Sequence, residues 1–323
     1  MSNNQNHFLI NKINFLRLII IVGSVLLFAG GPDYYSPRSL KNLWDLGHIL
    51  FFSILSYLIL LSWSQNDRMA LPLQAFFILF IALVLGTLIE FVQSGSRRDP
   101  DVLDVIRNVI GCMVTFAFFA PTKKTIPKIF FRAFQALTIV LVITALLPSI
   151  KAISDEIVAL RQFPVLSDFE TPFEIDRWTG DAELSIDDEV HFHGRFSLKV
   201  VLKTSNYSGA GLKYFPRDWS NYHYLHLNVF NPLNDPLKIT CRIHDRHHAD
   251  GAQAYDDRFN RGQVLTKGWN KIVIPLEQVE NAPKTRKLDL RRVQILGVFV
   301  YGLPRPRVIY IDDVSLSDSA DIK

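Results

Sequence analysis

Apolar positions along this chain follow two regimes. From residue 15 to 148 they form long runs broken by short polar stretches, and from 165 onward they alternate with polar positions. A membrane-crossing helix needs about 20 mostly apolar residues, and five runs meet that length approximately: 15–31, 47–63, 70–92, 102–120 and 129–148. Past Pro148, Ile150, Ile153, Ile157 and Leu160 recur at helical spacing. That pattern predicts a short amphipathic helix, lying on the outer membrane surface or serving as a stalk and ended by Pro164. From Val165 the period becomes two. The runs FSLKVVLK, YHYLHLNVF, LKITCRIH, NKIVIPL, VQILGVFVYG and RVIYIDDVSL read as strands, with turn signals at His193-Gly194, Asn231-Pro232, Lys267-Gly268 and Leu303-Pro304 between them. Short strands at such spacing predict an all-β sandwich, and about 150 residues suffice for one packed core. The expected fold class is therefore a multi-domain membrane α plus all-β chain. A five-helix transmembrane bundle (1–148) leads through an amphipathic linker (149–164) to an extracytoplasmic β-sandwich of jelly-roll type (165–323).

Basic residues in short loops orient such a bundle. Lys12 and Arg17 flank the first run, Arg68 follows the second, and Lys123, Lys124, Lys128 and Arg132 crowd the connection before the last. These positions alternate, which puts the N-terminus in the cytoplasm and the C-terminal domain outside, in a multi-pass protein of the inner or plasma membrane. Arg97 and Arg98 oppose the rule and are candidates for holding a ligand instead. A signal peptide is the alternative for the first run. No clean small-x-small site follows residues 28–31, so a retained helix is expected.

Charge and cysteine use narrow the function classes. With 35 Lys and Arg against 31 Asp and Glu, the net charge is only +4. No basic cluster of the density that nucleic acid requires is present, so no nucleic-acid partner is expected. Cys112 lies in an apolar run and Cys241 in the alternating half, which gives no disulfide framework. There is no GxSxG, HExxH or Walker loop. No acid pair stands out as a glycosidase dyad, although the diagnostic carboxylate separation is spatial.

Chemistry in the membrane half concentrates in ALVLGTLIEFVQSGSRRDPDVLDVIRNVIG, residues 82–111. Glu90, Gln93 and Arg97 stand at i, i+3 and i+7, and Asp101, Asp104 and Asn108 repeat that spacing across a loop, so each set shares one helix face. Ala82 and Gly86 precede Glu90 at four-residue spacing, which lets helices approach closely and turns the Glu90 face inward. With Asp45 and His48 these groups meet at the outer surface in the expected topology. Two readings stay open: helix caps and interhelical hydrogen bonds, or a site. Polar groups in such a frame are functional hypotheses by default. DLGHILFF followed by LIEFVQSGSRRDPDVLDVIRNVIG resembles the VanZ-like membrane family, through His48, Glu90, Gln93, Arg97, Arg98, Asp101, Asp104, Asn108 and Gly111. The resemblance spans roughly residues 40–120. It implies an envelope protein in a family named for a member linked to reduced glycopeptide-antibiotic susceptibility, with no reaction generally established. Ser94-Gly95-Ser96 replaces the proline and glycine usual before the arginines.

In the second half SDFET, HGRFSLKV, DWSNYHYLHLNVFNP, KGWNKIVIPL and VIYIDDVSL together resemble the carbohydrate-binding-module jelly rolls of the galactose-binding-like superfamily. The resemblance implies a structural calcium between the first and last strands, with Asp168, Glu170 and Asp312 as carboxylate ligands and carbonyls from the loop before Gly194; plain surface carboxylates are the alternative. The candidate binding segment is HDRHHADGAQAYDDRFN, residues 244–260. There Tyr255, Arg258, Asp245 and Asp257 offer the aromatic face and planar polar groups that sugar recognition uses. A transition-metal site at His244, His247 and His248 and a plain solvated loop are the alternatives. Trp178, Trp219 and Trp269 are assigned to the core. Two functions follow. One is a membrane-anchored module recognising cell-envelope polysaccharide or lipid-linked glycan. The other is a membrane enzyme acting on lipid-linked glycan or phosphate. In it His48 and Glu90 would serve as acid and base, Arg97 and Arg98 would hold the headgroup, and Asp101 and Asp104 a metal. Transport is disfavoured, since no repeat or broken helix of the usual kind is present.

Overall fold

The apolar runs fold as helices whose ends are set by turn chemistry more than by hydropathy. The computed structural model describes residues 3–29, 31–63, 71–94, 102–120 and 127–321. These divide into two compact units, Met1–Ile150 and Lys151–Lys323. In the first, α1 spans Asn3–Ala29, α2 Arg38–Trp63, α3 Leu71–Ser94 and α4 Val102–Val114, the last running on into a π-helical turn at Thr115–Phe119. Helix α2 begins earlier than its apolar run because an Asp33–Ser36 side-chain turn and Pro37 launch it, the Lys41 N–H bonding to the Pro37 carbonyl. His48 is therefore not at the start of a helix. It lies ten residues in, about 15 Å along the axis.

Among the described residues four stretches are long and apolar enough to cross a membrane by length and composition: Ile10–Leu27, Arg38–Ser62, Val102–Phe119 and Lys128–Gln162. The fifth expected run forms a shorter apolar stretch, Leu73–Ile89, within α3. Glycines set the close contacts. A Cβ on Gly111 would meet the Ile49 carbonyl oxygen at 2.5 Å, and one on Gly86 would overlap the Asn108 amide. Helices α2 and α4 thus approach to backbone distance in the way small residues permit, and Gly86 of α3 makes room for the Asn108 side chain of α4.

The segment expected as a separate short helix is the last part of α5, Lys128–Gln162, which runs unbroken through Pro148. A proline in a helix interior lacks the N–H for its own ladder bond, and here its carbonyl accepts from the Asn42 amide at 3.0 Å. Beyond residue 150 the buried face of α5 is Ala152, Asp155 and Ala159, whereas Ile153, Ile157 and Leu160 are exposed. The reason is one ion pair. Arg177, fully buried, reaches both Asp155 oxygens at 3.0 Å, donates to the Leu166 carbonyl and lies 3.1 Å from Glu174. A small-residue face admits the guanidinium where the isoleucine stripe would not.

The second unit is an antiparallel β-sandwich. One sheet has the order β3-β4-β11-β6-β9, with β1 added on β11, and the other β2-β5-β10-β7-β8. The strands are β1 Val165–Ser167, β2 Trp178–Gly180, β3 Glu183–Asp187, β4 Ser197–Leu202, β5 Tyr207–Leu212, β6 Tyr224–Asn231, β7 Leu237–Asp245, β8 Phe259–Leu265, β9 Gly268–Pro275, β10 Val293–Tyr301 and β11 Arg307–Ser317. From β4 to β11 successive strands change sheet at every step except β7 to β8, which pair within the five-stranded sheet. Alternation puts Leu198, Val200, Leu225, Leu227, Ile239, Cys241, Leu296, Val298, Ile309 and Ile311 in the shared core with Trp178 and Trp219. Trp269 departs from expectation. It is only half-buried, against Phe230 and Phe192 on the opposite surface of the six-stranded sheet.

Candidate functional site

The outer face of the five-stranded sheet carries the site, and alternation dictates what stands there. Because Ala210 and Leu212 of β5, Leu296, Val298 and Val300 of β10, and Cys241 and Ile243 of β7 point into the core, their neighbours point out. Register then aligns Tyr301 with Tyr207, Phe299 with Gly209, Gly297 with Gly211 and with Arg242, and Ile295 with His244. A Cβ on Gly209 would run into the Val298 carbonyl and the Phe299 backbone, so that position requires glycine. The glycines leave a low floor, and large side chains rise around it.

Those side chains form a series of contacts around it. The Tyr207 ring lies 5.2 Å from Tyr301 and 6.0 Å from Phe299, and the Arg242 guanidinium lies 5.6 Å over Phe299. Next comes His244, its ring 4.8 Å from that of His248 and tilted to it by 44°, then Arg258, which lies 5.5 Å over Tyr255. Tyr207, Tyr255 and Tyr301 are 62%, 67% and 70% exposed, too much for aromatic residues that merely pack. Several buried polar atoms here have no hydrogen-bond partner among the described residues, namely Nδ1 of His244, Nε of Arg258 and Oδ1 of Asn260. Each such atom costs about 1–3 kcal/mol unless something binds it. Burial, with His248, Arg242 and Arg258 nearby, drives the pKa of His244 down to about 3, so its imidazole is neutral at working pH. Burial also lowers the pKa of Arg258, opposed by Tyr255 and Tyr207.

Of the four residues expected to bind sugar, the structure brings Tyr255 and Arg258 into this series and gives the other two a different task. Asp245 is fully buried. It caps the short helix α6, Arg246–Asp250, by accepting from the His248 N–H, and it takes two hydrogen bonds from Arg286. Asp257 binds the same guanidinium at 2.6 and 3.0 Å. These contacts hold both carboxylates below their usual pKa against the opposing effect of burial. They anchor the segment between β7 and β8, and stripping Arg286 from Asp245 would leave a buried charge at a cost of about 3–5 kcal/mol. Tyr207, Tyr301, Phe299, Arg242 and Asn260 were not anticipated. The available signal was the glycine-spaced YSGAG and LGVFVYG, which only cross-strand register brings together.

Glu170 and Asp312 sit around one loop, and both accept hydrogen bonds from its backbone. Glu170 accepts from the N–H groups of Arg195 (2.6 Å) and Phe196 (2.9 Å), beneath Gly194 at φ +66°. Asp312 accepts from Phe192, His193 and Asp313, and burial raises its pKa to about 6. Asp168 accepts from the Glu170 N–H. Among the described residues no three His, Cys, Asp or Glu side chains converge as metal ligands. Glu170 and Asp312 clasp loop 192–196 directly, and Asp168 closes a turn with the Glu170 N–H. The histidine-metal alternative likewise finds no converging set among these residues.

In the first unit His48, Asp104 and Asn108 come together between α2 and α4. His48 Nδ1 lies 3.0 Å from Asn108 Oδ1, its Nε2 3.5 Å from Asp104, and all three residues are at most 1% exposed. Arg107, not anticipated, pairs with Asp104 and reaches Asp45 at 3.5 Å. Glu90 and Gln93 fall within α3, but their side chains, like Arg97, Arg98 and Asp101, lie outside the described residues.

No family model matches the chain, and no curated protein matches it. The VanZ-like resemblance therefore rests on the quoted residues alone. Among solved structures, the C-terminal half is similar to a family 11 carbohydrate-binding module from Clostridium thermocellum in complex with a β-1,3-1,4-mixed-linked tetrasaccharide (16% identity, TM-score 0.38, 48% of this chain and 95% of that one). It is also similar to a xylan-binding domain of family 22 (16%, TM-score 0.34, 49% and 96%) and to an exo-β-agarase (16%, TM-score 0.39, 48% and 25%). At these scores the similarities carry no functional weight. The C-terminal half of the chain is an antiparallel β-sandwich with carbohydrate-binding modules among its structural neighbours.

Proposed function

We propose that this chain is an integral membrane protein of the cell envelope whose β-sandwich binds glycan on the outer face of its five-stranded sheet. One observation carries the reading: three exposed tyrosines ring a floor of glycines beside unsatisfied polar atoms of His244, Arg258 and Asn260. Sugars present apolar C–H faces that lie on aromatic rings and hydroxyls that pair with fixed polar groups, and binding sites combine those two features. The ligand in this reading is envelope polysaccharide or a lipid-linked glycan. The membrane base is supported by the apolar helices and by side chains such as Phe76, Phe80, Val140 and Ile143, each about half exposed on them. The basic-residue pattern supports an outward-facing sandwich, and the VanZ-like residues support an envelope role touching glycopeptide susceptibility.

The enzyme reading is weaker. His48 and Asp104 are sealed between helices and bonded to Asn108 and Arg107, an arrangement that suits an interhelical tie more than proton transfer to a substrate. The binding reading is tested with the full chain in detergent micelles by affinity electrophoresis through envelope polysaccharide. Tyr255→Ala and Tyr207→Ala each weaken retention about tenfold. Retention equal to wild type in both variants would move the site off this face.

A further inference from the structure

The charge balance of this face goes one step beyond the glycan reading, on which it rests. Segment 244–260 holds four acids, and each has a basic partner: Asp245 and Asp257 share Arg286, Asp250 takes Arg246, and Asp256 takes Lys284 at 2.6 Å. Asp181, at the edge of β5, accepts from the Gly209 N–H and from Ser205. By alternation, the outward positions of β5, β7, β8 and β10 include Lys238 and Arg242 and no acid. Arg258, beside them, has no carboxylate within ion-pair distance among the described residues; its guanidinium rests on the Tyr255 ring with Nε buried and unsatisfied. Arg258 therefore brings to this face a positive charge that no carboxylate among the described residues pairs, whereas the acids of the neighbouring segment are all matched. Half-buried arginine without a counter-ion is costly, and its fork geometry matches carboxylate and phosphate oxygens.

We propose that this face binds an anionic glycan, with Arg258 pairing to a carboxylate or phosphate on the sugar while the tyrosines take the ring faces. The site thus selects acidic polymers over neutral ones of the same shape. The test uses the full chain in phosphatidylcholine nanodiscs and three probes: oligogalacturonate, the same oligosaccharide with its carboxyls reduced to alcohols, and poly(glycerol phosphate). At least one anionic probe binds about tenfold or more tightly than the neutral one, as expected for a gained charge-assisted hydrogen bond. Which anion wins distinguishes a uronate from a phosphate source. Arg258→Gln brings anionic and neutral affinities to within about threefold of each other. Equal or stronger binding of the neutral probe overturns the inference and leaves the glycan reading standing, as does a preference that survives Arg258→Gln, since that would be diffuse surface attraction. Binding of none of the three overturns both.

Discussion

Arg286 takes Asp245 and Asp257, and so frees Arg258, one position along, to lie over the Tyr255 ring. Side-chain identity alone could not make that division, because Arg286 lies 41 residues from Asp245 in the chain. Tyr255 and Arg258 were readable as candidates and stand together on the outer face; Asp245 and Asp257 had the same composition in their favour and are tied to Arg286 instead. The carboxylates near Gly194 repeat the lesson. Their sequence positions fit a calcium site, yet Glu170 and Asp312 each take backbone N–H groups of the loop they were expected to share with a metal. Chelation with EDTA should accordingly leave the melting midpoint of the β unit unchanged, followed by fluorescence of buried Trp178 and Trp219. Glu170→Ala, which orphans two N–H groups, should lower stability by about 1–3 kcal/mol. A midpoint that drops with EDTA and returns with calcium would reinstate the cation.

Helix α5 shows how an element can keep its period and its stop and still defy the pattern in extent and orientation. The period of Ile150, Ile153, Ile157 and Leu160 was readable, and so was the stop at Pro164. The face that packs is Ala152, Asp155 and Ala159, because the Arg177 guanidinium needs Asp155. Pro148, a natural end by hydropathy, interrupts one ladder bond without ending the helix. The same cluster makes a pH prediction. Burial raises Glu174 from 4.5 to about 7, outweighing the opposing charge of Arg177. The folded chain thus holds a proton between about pH 4.5 and 7 that the unfolded chain has released, and stability falls as pH rises through that window. Asp312 acts in the same direction up to about pH 6. His244, with its pKa lowered to about 3, acts oppositely, losing stability as pH falls below 6.5. Glu174→Gln removes its own contribution. The variant should gain on wild type by on the order of 1–3 kcal/mol between pH 5 and 8, read from thermal melts across that range; a gap independent of pH would mean that Glu174 titrates normally.

At the scale of the molecule, the division between helical and β halves was legible in the change of period at Val165, and six of the strands were readable as apolar alternation. Strand β5 was not, since Gly209 and Gly211 replace the outward residues that alternation needs, and β8 hid behind the charged run that precedes it. Those two strands flank the β10–β7 pair and complete the candidate face. The face is thus a product of sheet order and could not be read from any one segment. A second aromatic surface, Trp269 with Phe230, Phe192 and Tyr310, lies on the outside of the other sheet and offers a natural internal comparison. Hydroxyl-radical footprinting of the full chain, with and without envelope polysaccharide, reads both surfaces in one experiment. Tyr207, Tyr255 and Tyr301 should become protected on binding while Trp269 and Tyr310 keep their reactivity; protection of Trp269 and Tyr310 with the three tyrosines unchanged would contradict the assignment.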